Sequence, residues 1–272
     1  LLFATSVFAD KPALYFDGPE IVKLDWNTAS PHAADFNGDG LTDLAIVNAS
    51  RARIEFLLQR KDGVQTGAPE KSARADRWNP ILEVSRFDKQ PLVIGRAALA
   101  LVVGDWNGDK KADIAFLTDE DKLVLRMQDD KGTWAAKREF TLDSTADDTE
   151  VLVARDLNGD GRDDIALLTS TRLMVLLQAK PGEWAEPQNY ALGEGGCAGL
   201  TSTDLNDDGR ADIFYTAPDG DALLVRLQHE GTTFGEEWRL EIPAARHWLH
   251  SIRLGGKKSG VAWIQDETNM VE

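Results

Sequence analysis

DLNGDGRDDI, residues 156–165, puts four aspartates, an asparagine and two glycines into ten residues and closes on an isoleucine. The same pattern recurs as DFNGDGLTDL at 35–44, DWNGDKKADI at 105–114 and DLNDDGRADI at 204–213. The starts lie 70, 51 and 48 residues apart, and a worn fifth copy, RLGGKKSGVAWI, begins at Arg253 without its acidic positions. A fixed period of this length marks a repeat architecture.

The period is wider than the loop. Trp134, Trp184 and Phe234 follow the first Asp of their copies by about 29 residues, and Phe140, Tyr190 and Leu240 come six residues later still. In the second unit an apolar run (LALVVGDW) precedes the loop, and ADIAFLT, LVLRMQ and KREFTL follow it, separated by the turns DEDK and DDKGT. Four short β-rich runs per roughly 50 residues describe a propeller blade, and no helical periodicity competes. The first run, apolar on both faces, reads as the innermost strand. The expected fold is therefore an all-β propeller of four-stranded antiparallel blades with five units visible, the fifth degenerate near 253–264. Residues 14–26 resemble a fourth strand without its own blade. The long first interval leaves an insertion of about 20 residues between Val64 and Arg96, relatively basic through Lys71, Arg74, Arg77, Arg86, Lys89 and Arg96.

Oxygen donors at loop positions 1, 3, 5 and 9, with a backbone carbonyl at 7, form the hard ligand set that Ca²⁺ requires. The candidate ligands are Asp35, Asn37, Asp39, the Leu41 carbonyl and Asp43; Asp105, Asn107, Asp109, the Lys111 carbonyl and Asp113; Asp156, Asn158, Asp160, the Arg162 carbonyl and Asp164; and Asp204, Asn206, Asp208, the Arg210 carbonyl and Asp212. Position 6 calls for glycine because the chain turns sharply there. Lys110 stands at that position in the second copy, so the 105–113 site is expected to be the weakest of up to four. Metal-free Asx turns are the alternative, but they leave unexplained why like charges crowd one loop four times over.

These four loops resemble the FG-GAP/VCBS repeats of integrin α-chain propellers and of many secreted bacterial proteins, over roughly residues 30–265. The resemblance implies a ring of usually seven blades with calcium between the first and second strands of certain blades. A chain of five units is then expected to be a piece of a larger ring.

With 30 basic and 46 acidic residues in 272, the formal charge is −16, which argues against nucleic acid as a partner. Residues 1–9 (LLFATSVFA) read as a signal-peptide remnant cut before Asp10, with a hydrophobic first strand as the alternative. The propeller is then 10–272, and the expected location is secreted, periplasmic or at the cell surface. No other run approaches a membrane span. Cys197 is the single cysteine, which excludes an intrachain disulfide and suits a buried thiol.

HExxH, GxSxG, Walker and CxxC signatures are missing from the sequence. Gly193, Gly195 and Ala198 mimic part of a dinucleotide fingerprint but read as a turn between blades. The expected function is a binding, adhesion or scaffolding module with structural calcium, its partner an extracellular protein or polysaccharide. The alternative is a polysaccharide lyase, or an accessory domain of one, for which Arg172, Lys122 and His247 are the candidate groups. Because strands alternate in direction, the calcium loops share one face. The loops near Asn48–Arg51, Asp119–Lys122, Ser170–Arg172 and Pro218–Asp221, with the connections around Asp147, Gly195 and Ala245, share the other, the expected ligand face.

Overall fold

The computed structural model describes residues 22, 24–62, 86–134, 136–146, 148–229, 232–242, 246–255, 258–265 and 270–271. The signal-peptide remnant, most of the insertion, Asp147 and Ala245 lie outside the described residues, as does the side chain of His247. Of the segment 14–26, residues 22 and 24–26 are described and are not in a strand.

Each aspartate-rich loop joins the first two strands of one sheet. The first sheet is β1 (Thr28–Ala34), β2 (Asp43–Asn48), β3 (Arg53–Gln59) and β4 (Phe87–Val93), antiparallel throughout. The second is β5 (Ala98–Gly104), β6 (Asp113–Thr118), β7 (Lys122–Met127) and β8 (Ala136–Thr141). In the third, β9 (Leu152–Arg155), β10 (Asp164–Leu168) and β11 (Arg172–Leu176) are followed by a small hairpin, β12 (Gln178–Lys180) and β13 (Glu183–Trp184), before β14 (Gln188–Ala191) closes the sheet. The fourth is β15 (Ala198–Thr203), β16 (Asp212–Thr216), β17 (Ala222–Arg226) and β18 (Trp238–Glu241). The fifth has three strands, β19 (Arg246–Gly255), β20 (Lys258–Gln265) and β21 (Met270–Val271). First strands of successive sheets pack side by side, which is the blade arrangement of a propeller. Among the described residues the helical content is one 3₁₀ turn, Ala49–Arg51, and no helix is long and apolar enough to cross a membrane.

Burial is most complete in the second strands, while the first strands β5 and β15 also give Ala98, Ala100, Leu101, Val102 and Leu200 to the core. All residues of β6, β10 and β16 are buried, whereas β1 and β9 are largely half-buried. The second strand is covered on both faces by neighbouring blades, while the first has an edge on the central axis. The fifth unit also departs from expectation. Gly255 pairs with Lys258, so two residues separate β19 from β20, where eight separate the first two strands of the other blades. Without carboxylates at 253–264 there is nothing to hold a wider loop open. The insertion sits between β3 and β4, whose pairing ends at Gln59 and Phe87. Lys89 and Arg96 therefore fall outside it.

The periodic aromatics mark the seams between blades. Trp134 stacks on Phe56 of the preceding blade at 5.0 Å, Trp184 meets Phe140 edge-on at 6.3 Å, and Phe234 meets Tyr190 edge-on at 5.9 Å. A repeating sequence thus produces a repeating interface.

Candidate functional site

In every copy the position 1 aspartate turns inward and accepts backbone N–H groups of its own loop. Asp35 takes those of Gly38 at 2.8 Å, Asp39 at 3.1 Å and Gly40 at 2.8 Å. The Asn37 side-chain oxygen accepts the Asp39 N–H at 3.0 Å, and Asp39 accepts that of Leu41 at 2.9 Å. Asp105, Asp156 and Asp204 repeat this geometry. Position 6 is left-handed in all four loops: Gly40 at φ 85°, Gly161 at 83°, Gly209 at 86°, and Lys110, which adopts 67° despite its side chain. Position 4 is left-handed as well, at Gly38, Gly108, Gly159 and Asp207.

Position 9 is different in kind. Asp43, Asp113, Asp164 and Asp212 are fully buried and join the two ends of their blade. One oxygen of each accepts the N–H of the position 2 residue, and the other accepts the N–H of a glutamine at or just past the end of the third strand. For Asp113 these are Trp106 at 3.0 Å and Gln128 at 2.8 Å; for Asp164, Leu157 at 3.0 Å and Gln178 at 2.7 Å. Gln59 and Gln228 do the same for Asp43 and Asp212. Burial pushes the Asp113 and Asp164 carboxyls up to about 6 against the pull of these donors, and the nearby aspartates of the same loop push the same way. The glutamine recurs in all four complete units, a sequence signal that a search for acidic ligands passes over.

The loops are also tied to the blades that follow them. The Gln128 side-chain amide donates to the Phe36 carbonyl at 2.8 Å, Gly182 N–H to the Trp106 carbonyl at 2.6 Å, and the Gln228 amide to the Leu157 carbonyl. Each of these carbonyls belongs to loop position 2.

All donors that each loop directs inward are oxygens, which fits a hard cation. Among the described residues, no three His, Cys, Asp or Glu side chains are already grouped as a metal cage. The loops differ in how far their own cations neutralise them. Arg162 pairs with Asp160, and Arg210 with Asp208 at 2.6 Å. Lys111 stands 4.0 Å from Asp109 and pairs with Asp130 at 2.7 Å. Leu41 occupies that position in the first loop and brings no charge.

The opposite face carries a cavity of about 630 Å³ on the axis. Apolar walls from Leu101, Leu152, Leu200 and Leu249 meet the polar groups of Ser30, His32, Thr149, Glu150, Thr201 and His250. β-Bulges in β1, β5, β15 and β19 shape its wall. Ser30, left-handed at φ 53°, both donates to the Leu101 carbonyl and accepts the Leu101 N–H, and burial lowers the pKa of His32. The loops on this face pair with the connections between blades: Arg96 with Glu120, Asp121 with the Thr145 N–H and hydroxyl, and Arg172 with Asp143, while Asp221 pairs with Arg239 of β18. Lys122 pairs with Glu139. Arg172 and Lys122 do not line the axial cavity. Gly193 and Gly195 form the turn into β15, as expected.

Fold and loops together define a β-propeller protein whose blades each carry an aspartate-rich turn between their first two strands. The repeats it carries are FG-GAP-like, and the model of that repeat matches residues 105–167 and 156–215. No curated protein matches the chain. Among solved structures, an Agrocybe aegerita lectin that recognises non-reducing terminal N-acetylglucosamine is similar with a TM-score of 0.52 at 16% identity, over 87% of this chain and 60% of that one. BBS1N in complex with ARL6DN gives 0.50 at 12% identity, over 87% and 76%. The Photorhabdus luminescens Tc holotoxin pore gives 0.46 at 16% identity, and this chain, matched over 93% of its length, spans only 11% of that one.

Proposed function

We propose that this chain is a secreted binding or scaffolding module in which calcium is structural. Its partner, an extracellular protein or polysaccharide, docks on the face opposite the aspartate loops. The observation that carries this reading is the asymmetry of the two faces. On one, four loops share one geometry and are tied into the core through position 9. On the other, the loops NASR, DEDK, TSTR and APDGD differ in length and charge. Loops that vary on a repeating frame are free to carry specificity.

Asp35, Asn37, Asp39 and the Leu41 carbonyl are the groups to hold the ion in the first loop, and their counterparts do so in the others, with position 9 fixing the loop to its blade. The ion supplies positive charge among crowded carboxylates. The chain supplies the rigid frame.

A glycan and extracellular-protein array, probed in calcium, tests the reading. Thr149→Arg with His250→Arg, both exposed at the cavity mouth, is expected to abolish the binding that wild type shows while leaving the calcium-dependent melting shift intact. Binding that survives this pair and is lost with Asp130→Lys on the loop face contradicts it.

A further inference from the structure

We propose that the seam between the first and second blades holds a carboxylate-binding site centred on Arg126. The chain itself contains the filled version of this site. In the fourth blade Arg226, at the equivalent place in the third strand, is buried and fully partnered. Its Nε donates to the Tyr215 hydroxyl at 3.2 Å, one terminal nitrogen to the Gly235 carbonyl at 2.9 Å, and the other to the Ala191 carbonyl at 2.6 Å and a Glu237 carboxylate oxygen at 3.3 Å. Its guanidinium also lies over the Tyr190 ring.

Strand register makes the comparison exact in sequence terms. Ile114 pairs with Arg126 as Ile213 pairs with Arg226, so Phe116 occupies the place of Tyr215. Arg126 pairs across to Lys137, and the register of β17 with β18 puts Glu237 at that place in the fourth blade. Leu92, paired with Ile54, takes the place of Tyr190, paired with Leu173. The seam between the first and second blades has thus exchanged a hydroxyl for a hydrogen, a carboxylate for an ammonium and an aromatic ring for an alkyl chain. Among the described residues Arg126 keeps the bond to the Trp134 carbonyl at 3.0 Å. Among the described residues its Nε has no partner.

A half-buried guanidinium without a counter-ion is costly, and this one sits among further cations. The groove beside it, about 310 Å³, is lined by Arg96, Lys122 and Lys137 as well as Phe116 and Ile94. Its two carboxylates are already engaged, Glu120 with Arg96 at 3.0 Å, and Glu139 with Lys122 at 3.5 Å and with Lys137. Four cations face two anions on a protein of charge −16. Glu237 shows which chemistry fills the gap: a carboxylate, one oxygen of which accepts from the arginine at 3.3 Å and from the Tyr215 hydroxyl at 2.5 Å. The ligand is a carboxylate-bearing molecule small enough at its tip to enter the seam, either an acidic sugar or an acidic side chain.

The test follows the Arg126 Nε–H resonance by NMR in the calcium-loaded full chain, titrated separately with sodium galacturonate and with N-acetylglutamate amide at constant ionic strength. A saturable shift with either probe is expected, and the probe that causes it identifies the source as sugar or peptide. Lys137→Glu, an exposed change that restores the internal carboxylate, is expected to weaken that response at least tenfold. The absence of a saturable shift with both probes, or an equal response in Lys137→Glu, overturns the proposal. This readout concerns Arg126 alone, so its failure leaves the reading of the axial face and of calcium untouched.

Discussion

Gln128 of the second blade donates its side-chain amide to the Phe36 carbonyl of the first at 2.8 Å, across 92 residues of chain. Its backbone N–H meanwhile holds the buried carboxylate of Asp113. One residue therefore fastens its own loop and caps that of the preceding blade. Gln128→Leu leaves the Phe36 carbonyl without this donor and is expected to cost about 1–3 kcal/mol, lowering the melting temperature by a few degrees. Gln178→Leu, whose amide reaches the Asp163 carbonyl of its own blade, is the comparison. A loss of stability confined to Gln178→Leu in differential scanning calorimetry contradicts the inter-blade role of Gln128.

The two kinds of aspartate in a loop separate by their dependence on calcium. Asp164→Ala strips two buried N–H groups of their acceptor and is expected to destabilise the fold by on the order of 3 kcal/mol even in chelator. Asp160→Ala, on the exposed side of the loop, is expected to matter in calcium and little without it. Chemical denaturation of both variants with and without EGTA checks this. Equal behaviour in the two media contradicts the division of labour.

The loops are also expected to fill unequally. Asp39 has no arginine or lysine at position 7 beside it, whereas Asp160 and Asp208 are each covered by one. Asp39→Ala is therefore expected to remove the tightest calcium event in a calorimetric titration, and Asp109→Ala the weakest. Lys110→Gly relieves a left-handed non-glycine residue at φ 67° and is expected to raise stability by about 1 kcal/mol and to strengthen the second site. An unchanged second site would show that the turn residue is not what limits it.

Cys197 is 1% exposed, and its thiol donates to the Glu194 carbonyl at 3.3 Å. Burial pushes its pKa up to about 12, with Glu237 and Glu194 pushing further in the same direction. The thiolate is the reactive form. Native protein at pH 8 is expected to resist a thiol reagent that reacts promptly in guanidinium, and prompt native labelling contradicts the buried placement.

The loop, the blade and the order of strands are local or periodic features and were legible in the sequence. What escaped it depends on residues far apart along the chain. Asp164 reads in the sequence as a ligand alone, and that it also accepts the N–H groups of Leu157 and Gln178 appears only in the fold. The recurrent glutamines are visible in sequence, but their role as caps appears only when Gln128 and Phe36 come side by side. β10 outranks β9 in burial because neighbouring blades cover it, which no pattern within one blade can reveal. Arg126 and Arg226 are both arginines at one repeat position. Only the register of Lys137 and Glu237 across the sheet distinguishes a completed site from an open one.

The central claim is that calcium braces this propeller through its four aspartate loops. Four bound ions would take the formal charge of −16 halfway to neutrality. The direct measurement is the melting temperature of the chelator-treated protein as calcium is raised into the millimolar range, with stoichiometry followed by equilibrium dialysis. The account predicts a progressive rise in melting temperature with up to four ions bound. A melting curve that is the same in calcium and in EGTA, with no ion retained, would contradict it.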